Sequence, residues 1–142
     1  MSINWEAFGI KEGSSVDIDM VNCVQRRLGV IFPESYVDLV RYSDSACPEI
    51  SSFEYGGGGT CISEFFEFSD KEKLYTVSWY GKPSVVPNLP RGFIPIARDA
   101  GGYLICIDVN KSPASVEIFN PNSHQSTLVA KSFDEFVRMW HE

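Results

Sequence analysis

The sequence predicts an α+β fold. A single domain is expected, with a mainly antiparallel β-sheet flanked by N-terminal helices and a C-terminal helix. Three observations carry this. Apolar residues recur at helical spacing near both ends, at Val21, Val24 and Leu28 and again at Phe133, Phe136, Val137 and Trp140. Between them lie short segments rich in β-formers, punctuated by glycine and proline. The links between those segments are turns, and a parallel crossover needs about a dozen residues or more, so neighbouring strands pair antiparallel.

Taken in order, residues 1–13 are expected to hold a short helical piece anchored by Trp5 and Phe8. Ser14 and Ser15 offer caps for a helix over 16–28, with Ile18 beside its apolar face. Gly29 suits the left-handed position that ends such a helix. Pro33 fits the first turn of a second helix through Tyr36, Leu39 and Val40 to about Ser43. Residues 44–59 read as irregular, with Pro48 and the run Gly56 to Gly59, and "TCISEFFEF" at 60–68 reads as a strand. Ser69 followed by Glu72 has the form of a capping box, which starts a helix to about Tyr80 with Leu74 and Val77 inward. The β-rich run "LYTVSWY" makes a strand the alternative there.

Prolines at 83, 87, 90 and 95 mark a loop and then a strand start. Residues 93–97 and 103–109 form a hairpin. Tyr103, Ile105 and Ile107 face one way and Leu104 and Cys106 the other, so the second strand is buried on both faces and central in the sheet. Strands follow at 115–119 and 125–129. Ser132 and Glu135 cap the last helix, whose apolar stripe is the clearest in the chain.

Composition bounds the function. A chain of 142 residues with 44% hydrophobic residues, ten of them Phe, is long and apolar enough to build one core. No apolar run reaches the roughly 18 residues of a membrane span, and the first residues have neither the basic start nor the apolar stretch of a secretory leader. The expected location is the cytoplasm, without membrane association. Cys23, Cys47, Cys61 and Cys106 form no C-x-x-C pair, and His124 and His141 lie at no zinc-like spacing from them. No metal or other cofactor is expected, and Cys23 and Cys106 fall in apolar patterns typical of core cysteines.

Net charge is −7, which disfavours direct contact with nucleic acid. The charge is unevenly spread. Residues 44–72 hold seven acids (Asp44, Glu49, Glu54, Glu64, Glu67, Asp70, Glu72) against Lys71 alone, while the other 113 residues hold twelve acids and eleven bases.

In "GFIPIARDAGGYLICIDV", Asp99, Gly101 and Gly102 are explained by a turn, which is favoured over Arg98 and Asp99 as a catalytic pair. Gly56 to Gly59 lacks the Lys of a phosphate-binding loop and reads as a flexible loop. Glu64 and Glu67 would fall on opposite faces of a 60–68 strand, which removes them as an acid–base pair. The acidic segment stays open between an ordinary solvated face and a docking surface for a basic partner. Tyr55, Phe65, Phe66, Trp79 and Tyr80 lie in or near it, and some of these belong to the core.

Three segments, "RRLGVIFPESYVDLVRYS" (26–43), "FIPIARDAGGYLICIDV" (93–109) and "AKSFDEFVRMW" (130–140), resemble signatures of the SUKH superfamily, in the family's order. Members often carry Asn-Gly-Gly after the second helix, where this chain reads "SDSACPE". The resemblance implies an α+β fold and a function through protein contacts. Many bacterial members look like immunity proteins, which neutralise nuclease, deaminase or other toxins passed between competing cells. Another branch resembles a fungal regulator of cell-wall synthesis. Neither role needs a catalytic residue, so no enzyme is expected. The expected partner is a cognate protein toxin, basic because a nuclease must itself hold phosphates. The expected partner-binding set is Asp44, Glu49, Glu54, Tyr55, Glu64, Glu67, Asp70, Glu72 and Trp79.

Overall fold

Both helical ends of the chain fold back on one sheet. The computed structural model describes residues 3–82 and 84–142, so the expectations placed on Met1, Ser2 and Pro83 fall outside the described residues. A short 3-10 helix, Trp5–Phe8, precedes α1 (Ile18–Leu28) and α2 (Glu34–Tyr42). Six strands follow: β1 (Ser52–Tyr55), β2 (Gly58–Phe65), β3 (Phe93–Asp99), β4 (Leu104–Asp108), β5 (Ser115–Phe119) and β6 (Ser126–Ala130). Helix α3 (Val77–Tyr80) lies between β2 and β3, and α4 (Phe133–Met139) closes the order. The sheet is an antiparallel meander in the order β1-β2-β3-β4-β5-β6, and the arrangement is α+β.

Local chemistry explains most of the boundaries. Helix α1 starts later than expected, because the Asp17 carboxylate, rather than Ser14 or Ser15, accepts from the Met20 amide at 2.8 Å. Gly29 ends it with φ +69°. Ile18 sits off the apolar face and is 48% exposed. Pro33 is the N-cap of α2, one place before the expected first turn, and Ser43 is its C-cap. Helix α4 is capped as the sequence predicts, with Ser132 Oγ accepting from the Glu135 amide at 3.1 Å. The reciprocal bond goes one residue further back, to the Lys131 amide.

Two middle segments differ from expectation. Residues 52–59 belong to a hairpin where the sequence predicts an irregular stretch and a flexible glycine loop, and the strand expected over 60–68 is its second arm, Gly58–Phe65. Gly56 and Gly57 take φ of +52° and +85°, the turn that lets two twisted strands join through two residues, and Gly58 and Gly59 are already strand. The other is 69–80, which is neither a long helix nor a strand. Tyr75 has φ +71°, which interrupts any helix. The Thr76 hydroxyl donates to the carbonyls of Lys71 and Lys73, which holds the preceding residues in tight turns. Helix begins only after Thr76, whose hydroxyl accepts from the Trp79 amide. The Ser69 hydroxyl accepts from Lys71 instead of capping a helix, and Leu74 points outward.

Strand β4 is central and buried along its whole length, as its sequence predicts. Register places Ile105 and Ile107 opposite Ile118 and Val116, and Leu104 and Cys106 opposite Phe119 and Glu117. Both faces of β4 are therefore core. The sheet curls until the β1–β2 turn reaches β6, where a Cβ on Gly56 would sit 3.4 Å from Thr127 Cγ2.

Aromatic rings fasten the helices to the sheet. Tyr36 of α2 packs 5.5 Å from Phe133 of α4, between Phe32 and Phe68. Phe136 meets Phe53 of β1 at 5.0 Å, and Trp140 meets Phe8, Phe65 and Phe136. Burial pushes the Tyr36 phenol well above its ordinary range, with the Asp44 charge acting in the same direction.

The β3–β4 turn has one organising group. Asp99 is 4% exposed, and its carboxylate accepts from the amides of Gly101 and Tyr103 at 2.9 and 2.8 Å and from the Thr60 hydroxyl at 3.0 Å. This confirms the turn reading of Asp99 and leaves its lone pairs committed to structure. Asp99→Ala would strand those donors and should lower stability by about 3 kcal/mol. The check is the midpoint of urea unfolding, at unchanged slope.

Candidate partner-docking surface

Surface shape and charge at the acidic segment depend on what the fold brings beside each carboxylate. Glu64, on β2, pairs across the sheet with Arg98 of β3, whose Nε lies 2.8 Å from its Oε1. The same guanidinium lies 5.5 Å from the centre of the Tyr75 ring. Beside it Tyr80 stacks on Phe66 at 4.2 Å. The Tyr80 phenol is raised by partial burial and by Tyr75, with Arg98 opposing and Glu64 adding to the rise. Cys47 is raised by burial and by Glu64, which puts the thiol on the same patch. Glu67 bridges to Thr76 through backbone and pairs with Lys73 at 3.6 Å.

The other acids lie apart from this group. Asp44 is half-buried, and one of its oxygens accepts from the amides of Ser45 and Phe68, both at 2.9 Å. Burial raises its pKa while those two amides lower it. It pins the α2–β1 connection to the chain after β2. Asp70 accepts from the Cys23 thiol, and Cys23, in the middle of α1, is half-buried and not the core residue expected. Glu72 lies 3.6 Å from both Arg27 and Lys82. Glu49 is exposed beside Gly9, and its amide donates to the Phe8 carbonyl. Glu54 and Tyr55 are on β1, and Glu54 is 2.8 Å from His141. Tyr55 is half-buried, with its phenol raised by burial and then by Asp99. Trp79 is half-buried on α3.

Glu54, Glu64, Glu67 and Glu72 therefore each have a basic side chain within 4 Å, supplied by Arg27, Lys73, Lys82, Arg98 or His141, the last of these charged only when protonated. None of those basic residues lies within 44–72. Four of the seven acids concentrated in sequence are thus paired in space, while Asp44, Glu49 and Asp70 have no basic side chain within 4 Å among the described residues, and such exposed pairs contribute about 0–1 kcal/mol each to stability. Among the nearby aromatics, Phe65 and Phe66 are core. The residues that sequence reasoning missed are Leu74 and Tyr75, 55% and 47% exposed. Their spacing from Val77 had assigned Leu74 to a buried helix face. No sequence signal marks Arg98 as their neighbour, since strand pairing alone puts it there.

The result is a patch of tyrosine, leucine, arginine and carboxylate side chains, built on β2, β3, α3 and the turns before α3. Tyr and Arg are the residue types that most often anchor protein contacts. Among the described residues, no helix is long and apolar enough to cross a membrane, and no group of three or more His, Cys, Asp or Glu could hold a metal ion.

The fold is an α+β antiparallel meander flanked by helices. The model of the SMI1 / KNR4 family (SUKH-1) matches residues 15–139, and the chain belongs to that family. No curated protein matches it.

At the sheet edge, His141 exchanges backbone hydrogen bonds with Ser52 and meets Glu54 through its ring. The Glu142 carbonyl, accepting from Nδ1, and the Glu54 carboxylate raise its pKa. A raised folded value means that this contact stabilises fully below the unfolded histidine pKa and is lost as pH rises through the folded one. The Ser52 and His141 amides should thus exchange faster with solvent above that pH. In Glu54→Gln the imidazole titration, followed by NMR, should fall back toward its ordinary range.

Proposed function

We propose that this chain is an immunity protein that binds a toxin domain one-to-one and neutralises it by contact, in the cytoplasm and without catalysis. The observation that carries the reading is the exposed Leu74–Tyr75 pair beside Arg98 and Glu64, in a family whose sequence signatures resemble those of toxin-neutralising proteins. Tyr75 and Trp79 supply apolar anchoring. Glu49, Glu54, Tyr55, Glu64, Glu67, Asp70 and Glu72 supply the polar surround, and Asp44 holds the loop beneath them.

The partner is a basic toxin domain, such as a nuclease whose cleft holds phosphates. Covering that cleft blocks substrate without any bond being made or broken. Paired carboxylates fit this role, because an incoming lysine or arginine can exchange for Lys73 or Arg98 at little cost to the free protein.

The test reads the adjacent gene for a toxin-like C-terminal domain, whose absence would favour the regulatory reading, and co-expresses its product with this chain, followed by co-purification and a viability assay. Protection should accompany a stable complex. Reversing Glu54, Glu64, Glu67 and Asp70 to Lys should slow association at least tenfold at low salt. Tyr75→Ala should weaken the complex by about tenfold or more while the unfolding midpoint stays near that of the parent. Binding that is indifferent to all five changes, or to salt, would sink the acidic-surface reading. A stable partner without any protection would favour the regulatory role of the same family.

A further inference from the structure

A second region concentrates negative charge, and it lies outside 44–72. The N-terminal ends of α2 and α4 border a cleft of about 560 Å³, walled on a third side by the loop before β5. Its lining includes Glu34, Asp38, Asp134 and Glu135 against Arg138 alone. Among the described residues, none of these four carboxylates lies within 4 Å of a cationic side chain. That separates them from Glu54, Glu64, Glu67 and Glu72, which are all paired.

The floor of the cleft has the opposite need. Pro33 caps α2 without a side-chain acceptor, and the first amide of that helix to find a carbonyl is that of Val37, bonded to Pro33. The first-turn amides before it point out of the helix end with partial positive charge. Ser35 lines the same cleft, is 7% exposed, and has a buried hydroxyl with no hydrogen-bond partner among the described residues. A buried hydroxyl left this way is costly and marks a place where a partner atom fits.

These demands exclude simple occupants. A free anion suits the helix end but meets four carboxylates. A bare metal ion suits the carboxylates but faces the positive end of a helix. A peptide segment with a lysine or arginine meets both: its carbonyl accepts from the α2 amides and the Ser35 hydroxyl, while its cation reaches the carboxylates. We propose that the cleft between the N-terminal ends of α2 and α4 receives an arginine- or lysine-bearing backbone segment of a protein partner. The inference goes beyond the immunity reading and stands whether that partner is a toxin or a regulated protein.

The test uses the isotope-labelled full chain and a blocked pentapeptide, Gly-Arg-Gly-Arg-Gly, with amide NMR as the readout. Shifts should centre on Glu34, Ser35, Tyr36, Asp38, Asp134 and Glu135, and binding should weaken as salt rises. Asp38→Asn with Asp134→Asn should weaken binding roughly tenfold. Ser35→Ala should keep the fold, since its hydroxyl bonds to nothing in the free protein, and should weaken binding about threefold. Glu64→Gln with Glu67→Gln should leave it unchanged. The proposal is overturned if the shifts map elsewhere, or if the Asp38 and Asp134 changes have no effect. It is equally overturned if sulfate or the Gly-Glu-Gly-Glu-Gly peptide shifts these amides and the arginine peptide does not.

Discussion

The rings of Tyr36, Phe133, Phe136, Phe53 and Phe65 form the seam on which the rest of the structure depends. They come from α2, α4, β1 and β2, elements separated by most of the chain. Packing them brings the N-terminal ends of α2 and α4 to opposite sides of one cleft. It also seats Trp140 against Phe8, which draws the segment after α4 along β1. A change of volume here would propagate widely, because close-packed cores transmit strain instead of absorbing it.

Charge shows how a fold rewrites a composition. Read along the chain, 44–72 is an acidic block. Folded, the block is cut into separate places, and Arg98, Arg27 and Lys82 arrive from other elements to meet it. Four carboxylates with no cation within 4 Å among the described residues, Glu34, Asp38, Asp134 and Glu135, line one cleft where two helices begin, from residues about a hundred positions apart. Acids near a helix N-terminus are favoured by the helix dipole, so Glu34, Asp134 and Glu135 are stabilised without any cationic partner. Glu135 also accepts from the Lys131 amide, and the charge of all three stays on the wall of the cleft.

The two surfaces differ in kind. The patch around Tyr75 and Arg98 is apolar and aromatic with its carboxylates already paired, the composition of a contact centre. The cleft is polar, with donors at its floor and acids at its rim, which suits recognition of one projecting segment. Both stand on regular elements or on turns held by several hydrogen bonds. A rigid scaffold lowers the entropy lost on binding.

Sequence alone determined the α+β class, the antiparallel pairing, the central place of β4, the role of Asp99 in its turn, and the capped start of α4, though not its end, since Trp140 leaves the helix in an extended conformation. These features are local: period, capping and turn chemistry act over a few neighbouring residues. The resemblance of three segments to one superfamily was legible for the same reason, since each is a contiguous motif. Tertiary structure decided the rest. It turned a glycine run into a hairpin, because Phe53 had a core to enter. It broke the expected 69–80 helix at Tyr75, because Glu67 and Thr76 bridge across it. It alone placed Arg98 against Glu64 and Tyr75, and Ser35 over an unfilled cleft. Those neighbours are far apart in the chain, and no periodicity encodes which distant side chain will neutralise a charge or leave a hydroxyl without a partner.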